Sequence, residues 1–211
     1  MAKLIVNQFF LERGIRWWQT ETNWDNDFHN HFYERMYHLG SVNRASWYTI
    51  VDELASWSAL RPVPKDEIIR NGFSVIGNID ALIRQLMKNY DLSNTDFSQV
   101  EWDEILPLFQ TANSIKNSST PMFGSKLCHF ILPKLFPVYD SFVGERVGTN
   151  DYRIYWEMCR EGWKKCNGKN DLVDVLQREI GHSVFRLYPW ATKISELCCH
   201  GGGVSSNQDE S

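Results

Sequence analysis

Residues 76–90 read IGNIDALIRQLMKNY, and this stretch indicates the fold class. Its apolar residues recur at steps of three and four positions, at Ile79, Leu82, Ile83, Leu86 and Met87. That spacing places them on one face of an α-helix, whereas a half-buried strand would need strict alternation. The stretch therefore predicts an amphipathic helix that packs against other helices.

The same periodicity predicts helices along most of the chain. Pro62 and Pro64 break it, and residues 91–98 form a polar loop. Further helices are expected at residues 4–17, 27–39 (C-cap Gly40), 41–57 (N-cap Ser41), 65–71, 100–116 (kinked or broken at Pro107), 126–132, 141–148, 151–166, 169–180 and 183–197 (bent at Pro189). With about ten helices and no convincing sheet, the sequence predicts an all-α protein.

The composition is that of a folded globular chain. Of 211 residues, 43% are hydrophobic and 23% charged, which is an ordinary balance for a protein with a sizeable core. No apolar run is long enough to span a membrane, and polar residues follow the start too soon for a secretory signal. Five cysteines, an odd number, indicate reduced thiols. We therefore expect a cytoplasmic monomer, with residues 201–211 as a disordered Gly/Ser-rich tail.

The charge distribution is uneven. The net charge of −4 disfavours a polyanionic partner, because neutralising phosphates supplies most non-specific affinity for nucleic acids. Between Asn113 and Asn170, however, the sequence has nine basic and five acidic residues, a local net charge of +4. A basic face on an acidic protein is compatible with binding DNA at one place.

One segment carries chemical information. Residues 120–130 read TPMFGSKLCHF, and residues 136–143 read FPVYDSFV. Pro121 fixes φ and Gly124 permits the positive φ of a tight turn. We expect a helix to open at Gly124 or Ser125, with free backbone N–H groups that suit a phosphate, and Lys126 in its first turn.

The stretch PMFGSK at residues 121–126 resembles the PGVGTK hairpin of the helix-hairpin-helix DNA glycosylases, in particular the 8-oxoguanine DNA glycosylase branch. The resemblance covers about a sixth of the chain and implies a two-lobed helical bundle within residues 1–200, with a central lobe at about 61–148. It also implies that DNA with a modified or damaged base is the partner. Lys126 would be the nucleophile and Asp140 the essential carboxylate. The residues expected to contact DNA are Lys116, Pro121, Gly124, Ser125 and Arg146.

The chain departs from the family pattern at several positions. Met122 replaces the first glycine of the hairpin, and Tyr139 is inserted before the aspartate. Cys159 and Cys166 have the spacing that opens the iron–sulfur motif of the family, but residues 169 and 175 are Lys and Val. We therefore expect no cofactor and no iron–sulfur cluster, while a monovalent cation at the hairpin is compatible with the resemblance.

Other interpretations of the same residues stay open. Lys126 and Asp140 can be an ordinary helix residue and an ordinary N-cap. The chain would then be a non-catalytic DNA-binding module, or a helical interaction protein without a nucleic-acid role. We expect no metal at His29, His31 and His38, because His29 and His31 diverge on a helix. Nor do we expect one at residues 198–200, where we expect a frayed terminus. No local motif encodes which base is excised.

Overall fold

The computed structural model describes residues 2–23, 27–39, 41–117, 119–181 and 183–205. Within these ranges the chain folds into ten α-helices, one 3-10 helix and one two-stranded sheet, so the all-α prediction is confirmed. The elements are β1 Lys3–Leu4, α1 Gln8–Glu21, α2 Asn30–Leu39, α3 Arg44–Ser56, α4 Lys65–Asn89, a 3-10 helix Phe97–Gln99, α5 Trp102–Ser114, α6 Met122–Ile131, α7 Ser141–Val147, α8 Tyr152–Lys165, α9 Lys169–Ile180, α10 Trp190–His200 and β2 Val204–Ser205.

The helix α10 is the centre of the core. All its residues from Ala191 to His200 are buried. In its first two turns these include two residues with hydroxyl groups, Thr192 and Ser195, and two with charged side chains, Lys193 and Glu196. The expected frayed terminus at residues 198–200 is therefore wrong. Helix α1 packs along α10 so closely that a Cβ at Gly14 would lie 1.8 Å from the carbonyl oxygen of Leu197. Only glycine fits at that contact.

The segment after α10 is ordered rather than disordered. β2 pairs antiparallel with β1, with Val204 opposite Leu4, and Ile5 donates a backbone hydrogen bond of 2.8 Å to Gly203. The predicted tail is therefore wrong for residues 201–205, while residues 206–211 lie outside the described residues. The pairing extends over two residues per strand, which is too short to give an alternating pattern in the sequence.

Helix α4 is one continuous helix, although the sequence suggested two pieces. The expected break before it is confirmed, since Pro64 is its N-cap and Asp66 and Glu67 stabilise its first turn. Gly72 does not end the helix. A Cβ at this position would come within 2.2 Å of the Trp47 indole, so the glycine serves the close packing of α3 on α4.

Other boundaries also differ from expectation. Asn43, not Ser41, caps α3, and its side-chain oxygen accepts from the backbone N–H of Ser46. The predicted C-cap Gly40 lies outside the described residues. The last helix begins at Trp190, because Pro189 is its N-cap instead of a bend within it. Pro107 lies inside α5 without breaking it.

Within the described ranges, no helix combines the length and the apolar character needed to span a membrane.

Candidate active site

Lys126 lies in the second turn of α6. The helix begins at Met122 with Pro121 as N-cap, so the expected start at Gly124 or Ser125 is wrong. Gly124 has no positive φ and forms no turn. A Cβ at this position would lie 2.8 Å from the Cβ of Asn113, and the glycine therefore allows α5 and α6 to pack closely.

Asp140 is the N-cap of α7. One carboxylate oxygen accepts the backbone N–H of Val143 at 2.8 Å, and Gly148 ends this short helix in a left-handed conformation. The second carboxylate oxygen lies 3.7 Å from Nε2 of His200. The Asp140 side chain is 25% exposed, so solvent reaches the carboxylate.

Ser125 links the segment of Asp140 to the helix of Lys126 by hydrogen bonds, and we call this link the Ser125 joint. Its fully buried hydroxyl accepts from the backbone N–H of Tyr139 at 3.2 Å, and its one proton is shared between the carbonyl oxygens of Met122 at 3.1 Å and of Tyr139 at 3.2 Å. Because Lys126 follows Ser125 and Asp140 follows Tyr139, the joint brings the two predicted residues into one region. The negative charge of Asp140 acts on Lys126 and favours its protonated form.

The Lys126 amine occupies a largely desolvated position. Its Nζ lies 4.9 Å from the centre of the Trp57 ring and 3.4 Å from the Trp57 carbonyl oxygen. Burial lowers the pKa of Lys126, while Asp140 and Glu196 raise it and Lys116 lowers it further. The net direction is downward, which increases the fraction of neutral, nucleophilic amine at a given pH.

The buried face of α10 contributes three groups that the sequence analysis missed. Lys193 and Glu196 form an ion pair with Nζ and Oε1 3.2 Å apart, and both are almost fully buried. His200, two turns after Lys193, faces Asp140. Burial lowers the pKa of His200 to about 4, so its imidazole is neutral near pH 7. Positions 193, 196 and 200 share one helix face, and in the sequence this spacing is typical of a solvated surface helix.

On another side, the site is bounded by aromatic rings. His29 is buried and packs edge-on against Trp18 and Trp57, with ring centroids 4.8 and 4.5 Å apart. Phe28 and His29 both have positive φ, at 50° and 67°, an unfavourable conformation for residues with a Cβ. This backbone arrangement turns both side chains inward.

The surface beside Asp140 presents aromatic and basic groups. Phe142, in the first turn of α7, is 50% exposed and meets the Trp17 ring edge-on at 5.3 Å. On its other side, Trp17 stacks on His200 with centroids 3.9 Å apart. Arg146 is exposed on α7, and the guanidinium groups of Arg146 and Arg13 converge near Gly202.

The five residues expected to contact DNA have different environments. Pro121, Gly124 and Ser125 are buried, and the Lys116 ammonium donates to the carbonyl oxygens of Ala59 and Arg61. These four residues have internal environments or partners, and their side chains are not free to contact DNA as placed. Arg146 is the one whose side chain is exposed.

A cavity of about 700 Å³ lies at the C-terminal end of α6. It is lined mainly by apolar side chains, among them Tyr33, Phe130 and Phe185, while Lys126 and Asp140 do not line it. Phe130 and Trp57 meet edge-on at 5.1 Å, and Trp57 in turn contacts Lys126. The cavity and the Lys126 site are thus neighbours on two sides of an aromatic pair.

The described residues hold no cluster of three or more His, Cys, Asp or Glu side chains with metal-binding geometry. Cys159 is buried within α8 and Cys166 caps its end.

Comparisons with protein-family models, with curated proteins and with solved structures return no match to this chain.

Proposed function

We propose that this protein is a DNA N-glycosylase with lyase activity that excises a damaged or modified base. One observation carries the proposal. The desolvated amine of Lys126, on α6, and the partly exposed carboxylate of Asp140, at the start of α7, are brought into one region by the Ser125 joint. A nucleophilic amine with a lowered pKa beside a carboxylate suits attack on an electrophilic sugar carbon.

The two residues have complementary roles. A glycosylase extrudes its target nucleotide, and positive charge then develops on the sugar as the glycosidic bond stretches. The Asp140 carboxylate stabilises that charge. The neutral Lys126 amine forms a bond to C1′ while the bond from C1′ to the base nitrogen breaks and its electron pair leaves with the base. Asp140 accepts the proton that the new ammonium releases. The bond from C1′ to O4′ then breaks, O4′ takes up a proton and a Schiff base forms, from which loss of a C2′ proton and departure of the 3′-phosphate cleave the strand.

The exposed groups beside Asp140 suit a nucleic-acid surface. Arg13 and Arg146 supply charge for phosphates, and Phe142 supplies an exposed ring that can stack on a base or enter the gap left by an extruded one. This surface adjoins the site through the contact of Phe142 with Trp17. DNA bound here would present its sugar to Asp140.

A second candidate is a DNA-binding module without chemistry on the same scaffold. It is favoured by the hydrogen bond of Asp140 to Val143, because an N-cap gives this carboxylate a structural reason to be present.

The deciding experiment is borohydride trapping on an oligonucleotide with an abasic site, because this substrate needs no knowledge of the excised base. The wild-type protein should form a covalent adduct, and Lys126→Gln should form none. Lys134→Gln is the matched control, since Lys134 is also partly buried and its pKa is also lowered by burial. Loss of trapping in both variants, or in neither, contradicts the assignment of Lys126.

A panel of oligonucleotides with different modified bases then tests glycosylase activity. Asp140→Asn should abolish base release while the protein still binds DNA. Salt-dependent binding without release of any base or trapping of an abasic site would select the non-catalytic alternative, and absence of DNA binding at low salt would reject both.

A further inference from the structure

The ion pair on α10 is unusual because it is buried and close to the amine of the proposed reaction. The Lys193 and Glu196 side chains are 0% and 3% exposed. Such pairs are costly to desolvate and seldom justified by stability alone, since apolar residues of similar size often serve as well. Lys193 is additionally held by the Trp18 ring, whose centre lies 4.6 Å from its Nζ.

Direct contacts connect this pair to Lys126. From Lys193 the path runs through Trp18 to His29, then to Trp57, and Trp57 lies under the Lys126 ammonium. Three aromatic rings therefore form a continuous wall between the two lysines. The three ring residues are buried, so solvent screens the charges on either side of them only weakly.

Glu196 has an unused hydrogen-bonding position. Its Oε1 accepts from Lys193, whereas Oε2 is buried and has no hydrogen-bond partner in the described part of the chain. Burial and the charge of Asp140 raise the pKa of Glu196, Lys193 and Lys126 lower it, and the net direction is upward. The mutual influence of Glu196 and Lys126 is attractive in both directions.

The charged and titratable groups around Lys126 come from several elements. Asp140 precedes α7, Glu196 lies on α10, and Lys116 follows α5. His29 precedes α2, and burial lowers its pKa well below the usual range, so it is neutral near pH 7. Asp140 and Glu196 are thus the two negative groups that favour the protonated amine, and Glu196 is the one that solvent does not screen.

We propose that Glu196, held in place by Lys193, is a positioning residue that sets the pH range over which Lys126 reacts as a nucleophile. The inference rests on the proposed function in taking Lys126 as the reacting amine. When the charge of Glu196 is removed, one of the two groups that offset the effect of burial on Lys126 is lost, so the neutral amine of Lys126 appears at lower pH. Asp140 remains in place for the developing charge on the sugar.

The test measures the amine without DNA. Reductive methylation with formaldehyde and cyanoborohydride is followed between pH 6 and 10, and labelling at Lys126 is quantified by peptide mass spectrometry. In Glu196→Gln the midpoint should move to lower pH by about half a unit or more. Glu53→Gln is the matched control, because Glu53 is also a buried glutamate in an ion pair, with Arg35. An unchanged midpoint in folded Glu196→Gln, or an equal shift in Glu53→Gln, overturns the proposal.

A second variant covers the case in which Glu196→Gln leaves Lys193 unpaired and does not fold. Lys193→Met combined with Glu196→Met removes both charges and keeps similar volume, which such a pair often tolerates. It should show the same shift, and an unshifted midpoint again overturns the proposal. Because labelling needs no DNA, a failed trapping experiment removes the proposed function without deciding this result.

Discussion

The Ser125 hydroxyl lies 3.2 Å from both the main-chain nitrogen and the main-chain oxygen of Tyr139. In a place that water does not reach, one side chain therefore accepts from the backbone N–H of a residue 14 positions away and shares its own proton between the carbonyl oxygens of that residue and of Met122. The residues that follow each partner are Lys126 and Asp140. The geometry of the proposed active site thus depends on a serine that would not itself touch DNA.

Ser125→Ala should uncouple the two segments. The buried Tyr139 N–H and carbonyl group lose a partner, so we expect a loss of about 1–3 kcal/mol in the free energy of unfolding. Trapping on an abasic site should slow by about tenfold or more, because a small displacement of positioned groups is costly for catalysis. Ser114→Ala, which removes only a local bond to Thr111, is the control. An unchanged trapping rate would show that the joint does not position the site.

Gly124 tests the packing of α5 against α6, and Gly77 in α4 is its control. Gly124→Ala places a methyl group 2.8 Å from Asn113 Cβ, and we expect a destabilisation of about 1–3 kcal/mol. Gly77→Ala in α4 meets nothing within 4 Å, and it should stabilise the protein by about 0.5–1 kcal/mol. Urea unfolding measures both. Equal effects of the same sign would contradict the role given to Gly124.

Three buried histidines predict sensitivity to acid. Burial lowers the pKa of His129 to about 3 and of His200 to about 4, and it lowers that of His29 well below the ordinary histidine value of about 6.5. As the pH falls below about 6.5, the unfolded chain takes up protons that the folded protein refuses until the folded pKa is reached. Their stabilising effect is therefore complete above pH 6.5 and lost progressively below it.

The expected slope is about 1.4 kcal/mol per pH unit for each histidine, once the pH is well below 6.5. Urea unfolding at pH 7, 6 and 5 measures it, and His200→Gln should reduce it by the contribution of one group. Stability that does not change between pH 7 and 5 would contradict the neutral, buried state of these side chains.

Phe142→Ala should weaken DNA binding without weakening the fold. Because the ring is 50% exposed, the free energy of unfolding should change by about 0.5 kcal/mol or less. Loss of stacking should reduce affinity by about fivefold or more. Tyr48→Ala, at a ring 51% exposed on α3, is the control in a fluorescence-anisotropy titration. If both variants bind equally well, Phe142 is not at the DNA surface.

Arg146→Gln should change how DNA binding depends on salt. Loss of one phosphate contact lowers the slope of log K against log salt by about 0.9. Arg178→Gln, at an exposed arginine on α9, should leave the slope unchanged. A slope unaffected by either substitution would place the DNA elsewhere.

The sequence predicts local structure well where one face of a helix is polar. The helix at residues 169–180 has the expected boundaries, because Gly168 precedes a regular amphipathic pattern. Prediction from the sequence fails at glycines, because a glycine can either form a turn or allow close packing inside a helix. The sequence predicts a tight turn at Gly124 and a helix that ends at residue 71, just before Gly72. Both glycines lie inside helices, where they allow a neighbouring element to approach closely.

The proposed site could be predicted only in part, for a related reason. Lys126 and Asp140 could be singled out because they follow Pro121, Gly124 and Pro137, residues that are typical of turns. Lys193, Glu196 and His200 have the spacing of a solvated helix face, and nothing local indicates that the rest of the chain encloses them. Burial of a charged helix is a property of the whole fold, and sequence periodicity does not report it.

The pairing of α1 with α10 has a consequence for how the chain is made. Helix α1 emerges from the ribosome long before its main partner exists, because residues 8–21 pack against residues 190–200. Until then its apolar face, with Leu11, Ile15 and Trp18, lacks the helix against which most of it packs. We therefore expect nascent chains to stay open to chaperones and proteases until residues 190–200 have left the ribosome.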